Sequence, residues 1–351
     1  AKKENTDRCP HCGWVEGTRP ESPLHLPART LLNEKYLIGR VLGQGGFGIT
    51  YLGWDLNLNL KLAIKEYLPQ DLASRAMGHQ QITAYTGTGE EFEYGLNKFL
   101  EEARTLAQFD EHPNIVSVRD FFRANGTAYI VMSYLEGMDL KDYVAEQGNR
   151  LTYEKTMGII MPVLDALNEI HAVNVLHRDI SPDNIFIKQN GQVILIDFGA
   201  ARQAISAKGR SMSIILKPGF TPEEQYRSKG VQGPWTDLYA VAASIYRIIT
   251  GQMPPESLDR LAEDTLVPPS QLGVKIGANE ERAWLKAMAV KAEDRFKTVR
   301  EFQEALLGKS IVSNPAAAAP PPEATWHISR DGARFGPYTW ERMVQMAADG
   351  N

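Results

Sequence analysis

The spacing of apolar positions changes period twice along this chain. Tyr36 to Leu42, Thr50 to Trp54 and Leu60 to Glu66 alternate apolar and polar residues, which predicts three strands. Glu90 to Phe109 switches to a helical period: Phe92, Leu96, Phe99, Ala103 and Leu106 recur at spacings of four and three. Ile115 to Phe122 and Thr127 to Met132 alternate again around Asn125-Gly126, the signature of a hairpin. The rest is helical. Asp139 is placed to cap a short helix, and Thr152 a longer one with Met157, Ile160, Met161, Leu164, Leu167 and Ile170 on one face. Pro162 inside that helix should bend it or disturb one hydrogen bond. Leu238 to Ile249 is apolar nearly all round and closed by Gly251, so it belongs inside a large domain, with Asp237 at its start as a cap. Further helices fall around Pro255–Glu263, Glu280–Val290 and Thr298–Leu307.

The 351 residues suit one large two-lobed domain with small appendages. A formal net charge of −5, with both signs interspersed, points to neither a nucleic-acid nor a membrane partner. No apolar run is long enough to span a bilayer, and the charged start has no signal-peptide core, so a cytoplasmic location is expected. The two cysteines, Cys9 and Cys12, form a Cys-Pro-His-Cys-Gly turn of zinc-knuckle type. A structural zinc needs four ligands; His11 and His25 could complete the set, or two chains could share the metal. Pro-rich 21–27 and Ala/Pro-rich 313–324 read as linkers. Between Tyr67 and Gly89 no period emerges, and the stretch reads as an insertion beside the first helix.

The chemistry concentrates in two polar runs at the ends of apolar ones. His177-Arg178-Asp179 is followed by Asn184, and Val193 to Ile196 leads into Asp197-Phe198-Gly199. Phosphoryl transfer needs that set: one Asp for the acceptor hydroxyl, an Asn and a second Asp for Mg²⁺. A Gly-x-Gly-x-x-Gly run, Gly43-Gln44-Gly45-Gly46-Phe47-Gly48, lies between two predicted strands, so its competitor, a dinucleotide-binding turn that opens a helix, is disfavoured.

These motifs together resemble the bacterial family of eukaryotic-like Ser/Thr protein kinases, from about Tyr36 to Leu307. The resemblance implies an α+β, bilobal protein-kinase-like fold: a small β-rich lobe over about 36–135 with one regulatory helix, and a larger helical lobe over about 136–307. The domain as a whole would cover 31–309, preceded by the Cys-x-x-Cys segment of 1–30 and followed by a linker over 310–325. It also implies roles. Asp179 is the base; Lys65, in Ala63-Ile64-Lys65, holds the phosphates of ATP; Glu102, or its neighbour Glu101, braces Lys65. Asn184 and Asp197 hold Mg²⁺, and Gly43, Gly45, Gly46 and Gly48, with Gln44, Phe47 and Thr50, cover the nucleotide. Met132 is the gatekeeper, and Ser133 to Leu135 form the hinge facing adenine. Thr221-Pro222-Glu223 closes the activation segment, and Glu223 pairs with Arg295. Within that segment Ser211 and Ser213 are candidates for phosphorylation, with Arg178 as the partner of the phosphate. Residues 326–351 resemble the start of a GYF-like, peptide-binding module.

Two departures stand out. Ser181 occupies the place where these kinases carry a Lys that steadies the transferring phosphate, and Leu216 replaces a Thr that orients the base and the acceptor. The leading expectation is an ATP- and Mg²⁺-dependent kinase acting on Ser or Thr of proteins, itself included. The rivals are a nucleotide-binding pseudokinase scaffold and, more weakly, a small-molecule kinase.

Overall fold

Strands built on the alternating segments pair in the order β1-β2-β3-β4-β8-β7, all antiparallel where neighbours meet. They are β1 Leu31–Leu32, β2 Tyr36–Gly45, β3 Gly48–Asp55, β4 Leu60–Tyr67, β7 Val118–Ala124 and β8 Thr127–Ser133. In this computed structural model the described residues are 20–198, 216–227 and 230–308, with Val15, Thr18 and the backbone of 326–330 and 333–338. Between β7 and β8 the turn residues Asn125 and Gly126 take φ of 53° and 70°, the left-handed conformations that an Asn-Gly hairpin supplies at low cost. One helix, α1 Gly89–Leu106, covers the sheet through Phe92, Leu96, Phe99, Ala103 and Leu106, the face its period predicted. Tyr67 of β4 meets Phe92 and Phe99 at ring-centroid distances of 5.2 and 5.5 Å.

The stretch after β4 is structured. It forms a small hairpin, β5 Ala73–Arg75 with β6 Ile82–Ala84. Arg75 reaches back, fully buried, to the buried carboxylate of Glu66, which also accepts hydrogen bonds from the hydroxyls of Tyr129 at 2.6 Å and Tyr51 at 3.1 Å. A buried ion pair holds only when its remaining hydrogen-bonding capacity is met, and here the two tyrosines meet it. The residues before β1 belong to the same lobe and are not a free linker. Leu26 and His25 are buried; the Leu26 amide donates to the Tyr51 hydroxyl at 3.0 Å, and the Leu24 carbonyl accepts from Arg75. His25, a candidate zinc ligand by sequence, sits with Nε2 2.7 Å from Oε1 of Gln44.

The helical lobe follows. A three-stranded sheet, β11-β10-β9, packs at its upper edge; β9 is Gly137–Asp139, β10 Ile185–Lys188 and β11 Val193–Leu195. Asp139 caps α2 Leu140–Glu146 by accepting from the Asp142 amide, and Thr152 caps α3 Tyr153–Ala172 by accepting from Lys155. The α3 helix runs through Pro162. The central helix α4 spans Pro234–Thr250, is buried along most of its length, and ends on Gly251 at φ 74°. It begins earlier than its apolar run. Asp237 therefore lies inside the helix and is not its cap, and Thr236 Oγ1 accepts from the Gly233 amide instead. Helices Ser257–Ala262, Ala278–Ala287 and Val299–Leu306 complete the lobe. The lobes are joined by main chain: the Val116 amide donates to the Leu195 carbonyl at 3.1 Å and the Leu195 amide to Asn114 at 2.8 Å. Beyond residue 309, a separate unit contains an antiparallel pair, Trp326–Arg330 with Ala333–Tyr338. Among the described residues no helix is long and apolar enough to cross a membrane.

Candidate active site

Asp237 organises the catalytic loop from below. Its wholly buried carboxylate accepts from His171 Nε2 at 2.7 Å, the His177 amide at 2.9 Å and the Arg178 amide at 2.7 Å. Burial would raise this carboxyl, but the His171 hydrogen bond and charge, with His177 and the Arg178 amide, hold it below the ordinary Asp range. Anchored this way, the chain turns through Arg178 at φ 67°. His177, fully buried, donates through Nε2 to the Ile196 carbonyl at 3.0 Å and packs against Phe198 at a centroid distance of 4.4 Å. The two polar motifs read from sequence are thus locked together. Burial pushes the His177 ring below its usual value, so it is held neutral.

Asp179 emerges beyond this anchor. Asn184 Nδ2 donates both to the Asp179 carbonyl at 2.6 Å and to its Oδ2 at 2.7 Å. That commits the amide nitrogen and leaves the amide oxygen, a ligand type that hard cations accept. Across the cleft Lys65 Nζ donates to Asp197 Oδ1 at 2.8 Å, and Asp197 sits at φ 57°. Glu102 is buried on α1. Asp179 is thus held by Asn184 and Lys65 by Asp197, and the Ile196 amide, donating to the Asn184 carbonyl at 3.0 Å, links the two pairs.

A cleft of about 430 Å³ opens beside them. Leu42, Gly43, Thr50, Ala63, Met132, Ser133, Tyr134 and Leu135 line it from the small lobe and the hinge; Met138, Phe186, Ile196 and Asp197 line it from below. Phe186, Val116 and Ile196 were not singled out in the sequence, because on a strand or its edge they look like ordinary core. The volume is in the range of small-molecule sites. An ideal Cβ on Gly43, Gly45 or Gly46 would meet nothing within 4 Å, so the loop leaves open space, whereas on Gly48 it would lie 2.1 Å from the Glu66 carbonyl oxygen. The loop tip is tied down: the Leu68 amide donates to Phe47 at 2.9 Å, and the Gln70 amide to Gly46 at 3.0 Å. An apolar slot, a glycine-lined phosphate space, a lysine, an amide oxygen and a carboxylate suit a nucleotide with its Mg²⁺.

The closing motif needs a correction of one residue. Arg295 pairs with Glu224, at 2.8 and 3.2 Å, while Glu223 faces Arg227 at 2.6 Å. The sequence allows either glutamate; only Glu224 turns inward, where Thr236 also donates to it at 2.8 Å. Counted from Glu224, the residue in the place assigned to Leu216 is Lys217. Cys9, Cys12, Ser211 and Ser213 lie outside the described residues, and among those described no cluster of His, Cys, Asp and Glu could hold a metal ion.

The protein kinase domain family matches residues 36–266, the span that carries both walls of this cleft. This chain belongs to the protein kinase family. The kinase is 31% identical over 280 residues to the serine/threonine-protein kinase Pkn1 of Myxococcus xanthus, covering 76% of this chain and 37% of that protein. It is also 31% identical over 291 residues to the serine/threonine-protein kinase PknB of Mycobacterium tuberculosis, covering 79% and 43%. The chain spans about two fifths of the length of these curated relatives. Among solved structures, that titled PpkA-294 apo form superposes with a TM-score of 0.71 at 38% identity, covering 81% of this chain and 99% of that one. The kinase domain of M. tuberculosis PknI, at TM-score 0.58 and 22% identity, shares the fold.

Proposed function

We propose that this kinase is active: it transfers the γ-phosphate of ATP to Ser or Thr hydroxyls of proteins. The observation that carries this reading is the hold of Asn184 on Asp179, at 2.6 and 2.7 Å, with the Asn184 carbonyl accepting at 3.0 Å from the amide of Ile196, the neighbour of the Asp197 that pairs with Lys65. Asp179 accepts the acceptor proton and aims its oxygen; Lys65 binds phosphate oxygens; the hinge and Met132 seat the base. Asn184 and Asp197 would hold Mg²⁺, which neutralises phosphate charge when bound. The names of Pkn1 and PknB support Ser/Thr as the acceptor class. Incubation of the full chain with labelled ATP and Mg²⁺, followed by mass spectrometry, should find phosphate on Ser or Thr of the protein or of a peptide library. No transfer above an Asp179→Asn control would refute the activity.

The same reading extends to regulation. Arg178, beside the base, has a buried Nε without a hydrogen-bond partner among the described residues, a site that suits a phosphate oxygen. Phosphorylation of Ser211 or Ser213 would supply one, and the same mass spectra test it. Zinc held by Cys9 and Cys12, and a peptide partner for residues 326–351, rest on the sequence motifs. Zinc lost on Cys9→Ser, Cys12→Ser substitution, and peptide-array binding that needs residues 326–351, would support them.

A further inference from the structure

Ser181 stands where the kinase pattern calls for a cation, yet the structure brings a cation to it. Lys217 Nζ donates to Ser181 Oγ at 2.7 Å and lies 3.6 Å from Asp179 Oδ1. Ser181 is wholly buried, and its hydroxyl is 3.4 Å from Asp183 Oδ2, so lysine, serine and carboxylate form one row along the catalytic loop. An ammonium has three donors. One is given to Ser181, Asp179 lies within ion-pair range, and the Lys217 side chain keeps 29% of its surface exposed.

The main chain fixes where this ammonium starts. Lys217 opens a tight turn, with Pro218 second, Gly219 third at φ 81°, and the Phe220 amide donating back to the Lys217 carbonyl at 3.1 Å. That is a type II arrangement, which needs the left-handed residue at its third position. A Cβ on Gly219 would also lie 2.8 Å from the Pro254 carbonyl oxygen. Thr221 closes a second clamp. Its hydroxyl accepts from the Lys217 amide at 3.1 Å and donates to the Lys217 carbonyl at 3.0 Å, while its own carbonyl accepts from Ser257 at 2.8 Å.

We propose that Lys217 is the phosphate-contacting cation of this kinase, delivered from the closing end of the activation segment and positioned by Ser181. The inference rests on the activity proposed above. In the transfer step the acceptor oxygen forms a bond to the γ-phosphorus while the bond from that phosphorus to the β,γ-bridging oxygen breaks. The electron pair of the broken bond leaves with ADP, and the hydroxyl proton passes to Asp179. During that exchange charge is spread over the three transferring oxygens, next to the base, where the ammonium stands. Two positions have exchanged chemistry: the catalytic loop carries a hydroxyl where a lysine is expected, and the closing segment carries a lysine where a hydroxyl is expected.

The test uses the full chain and four proteins: wild type, Lys217→Ala, Lys217→Arg, and the exchange variant Ser181→Lys, Lys217→Thr. Steady-state kinetics with ATP and a peptide acceptor, ATP affinity and thermal melting are measured on each. Lys217→Ala should lose about 10²-fold in kcat, as for removal of one transition-state donor, with ATP affinity and melting unchanged. Lys217→Arg should keep more of kcat than Ala does, and the exchange variant should recover at least about tenfold of the loss. A Lys217→Ala variant within twofold of wild type would overturn the proposal, as would an exchange variant no better than Ala. If Lys217→Ala does not fold, the single variant Lys217→Thr replaces it as the reference, and an exchange variant no better than Lys217→Thr overturns the proposal. Wild type without activity would remove the underlying reading; active wild type with indifferent Lys217→Ala removes only this inference.

Discussion

Glu224 and Arg295 form a buried pair that ties the end of the activation segment to the base of the helical lobe. Arg295 is fixed on all sides: its guanidinium also donates to the Ala289 and Val290 carbonyls at 2.7 Å each and lies 4.7 Å over the Tyr239 ring. Because both partners are buried, removing one leaves a charge without compensation.

Arg295→Ala or Glu224→Ala should therefore destabilise the kinase by about 3–5 kcal/mol, read from the midpoint of urea unfolding. Glu223→Ala, which removes only a pair with a largely exposed Arg227, should cost less than about 1 kcal/mol. Equal costs at 223 and 224 would contradict the assigned register.

Asp197 and Asp179 should separate binding from transfer. Asp197→Asn removes a carboxylate from the Lys65 pair and the metal site, and should weaken Mg²⁺-dependent ATP binding at least about tenfold, measured by calorimetry. Asp179→Asn should bind ATP as wild type does and lose about 10²–10⁴ in transfer rate. If both variants lose nucleotide equally, the two roles have been misassigned.

Gly48 and Gly46 predict opposite outcomes within one loop. A methyl on Gly48 runs into the Glu66 carbonyl oxygen, so Gly48→Ala should cost about 1–3 kcal/mol through forced displacement of strand β4. Gly46→Ala meets open space and should leave unfolding unchanged. Its effect, if the space receives phosphates, should appear in ATP affinity alone.

Acid should weaken the fold through His177. Its ring is buried and its pKa lies below the ordinary 6.5. As pH falls through 6.5 the unfolded chain takes up a proton that the folded ring refuses, so stability declines with falling pH. Above that value both states are neutral and the contribution is flat. His177→Gln lacks this proton uptake, so the stability gap between wild type and variant should narrow between about pH 7.5 and pH 5. A constant gap would show that the ring titrates normally inside the fold.

Much of this architecture was legible because long elements carry redundant signals. The α1 face is marked five times over by Phe92, Leu96, Phe99, Ala103 and Leu106, and all five are buried. Asp179, Asn184 and Asp197 could be singled out as candidates because their motifs lie at short, local spacings. What escaped depends on contacts distant in sequence. Strands β5 and β6 are three residues each, too short for a period to emerge, and Arg75 looks like a surface residue until Glu66 is placed beside it. The choice between Glu223 and Glu224 turns on which side chain faces Arg295, which adjacent identical residues cannot disclose. Lys217 escaped for the same reason, since its place was counted from the wrong glutamate.

The docking of residues 24–30 on the small lobe bears on where this domain can be cut. Tyr36, where the family match begins, is not a natural edge. Ile38 of β2 exchanges main-chain hydrogen bonds with the residues ahead of β1: its amide donates to the Thr30 carbonyl at 2.9 Å and its carbonyl accepts from the Arg29 amide at 2.8 Å. A fragment opened at Tyr36 would lose these bonds, uncover the Tyr51 hydroxyl and Arg75, and strip His25 from Gln44 at the rim of the glycine loop. The physical margin of the lobe lies upstream of the margin drawn by shared sequence, so truncation at the latter would loosen the roof over the nucleotide without touching any residue of the active site.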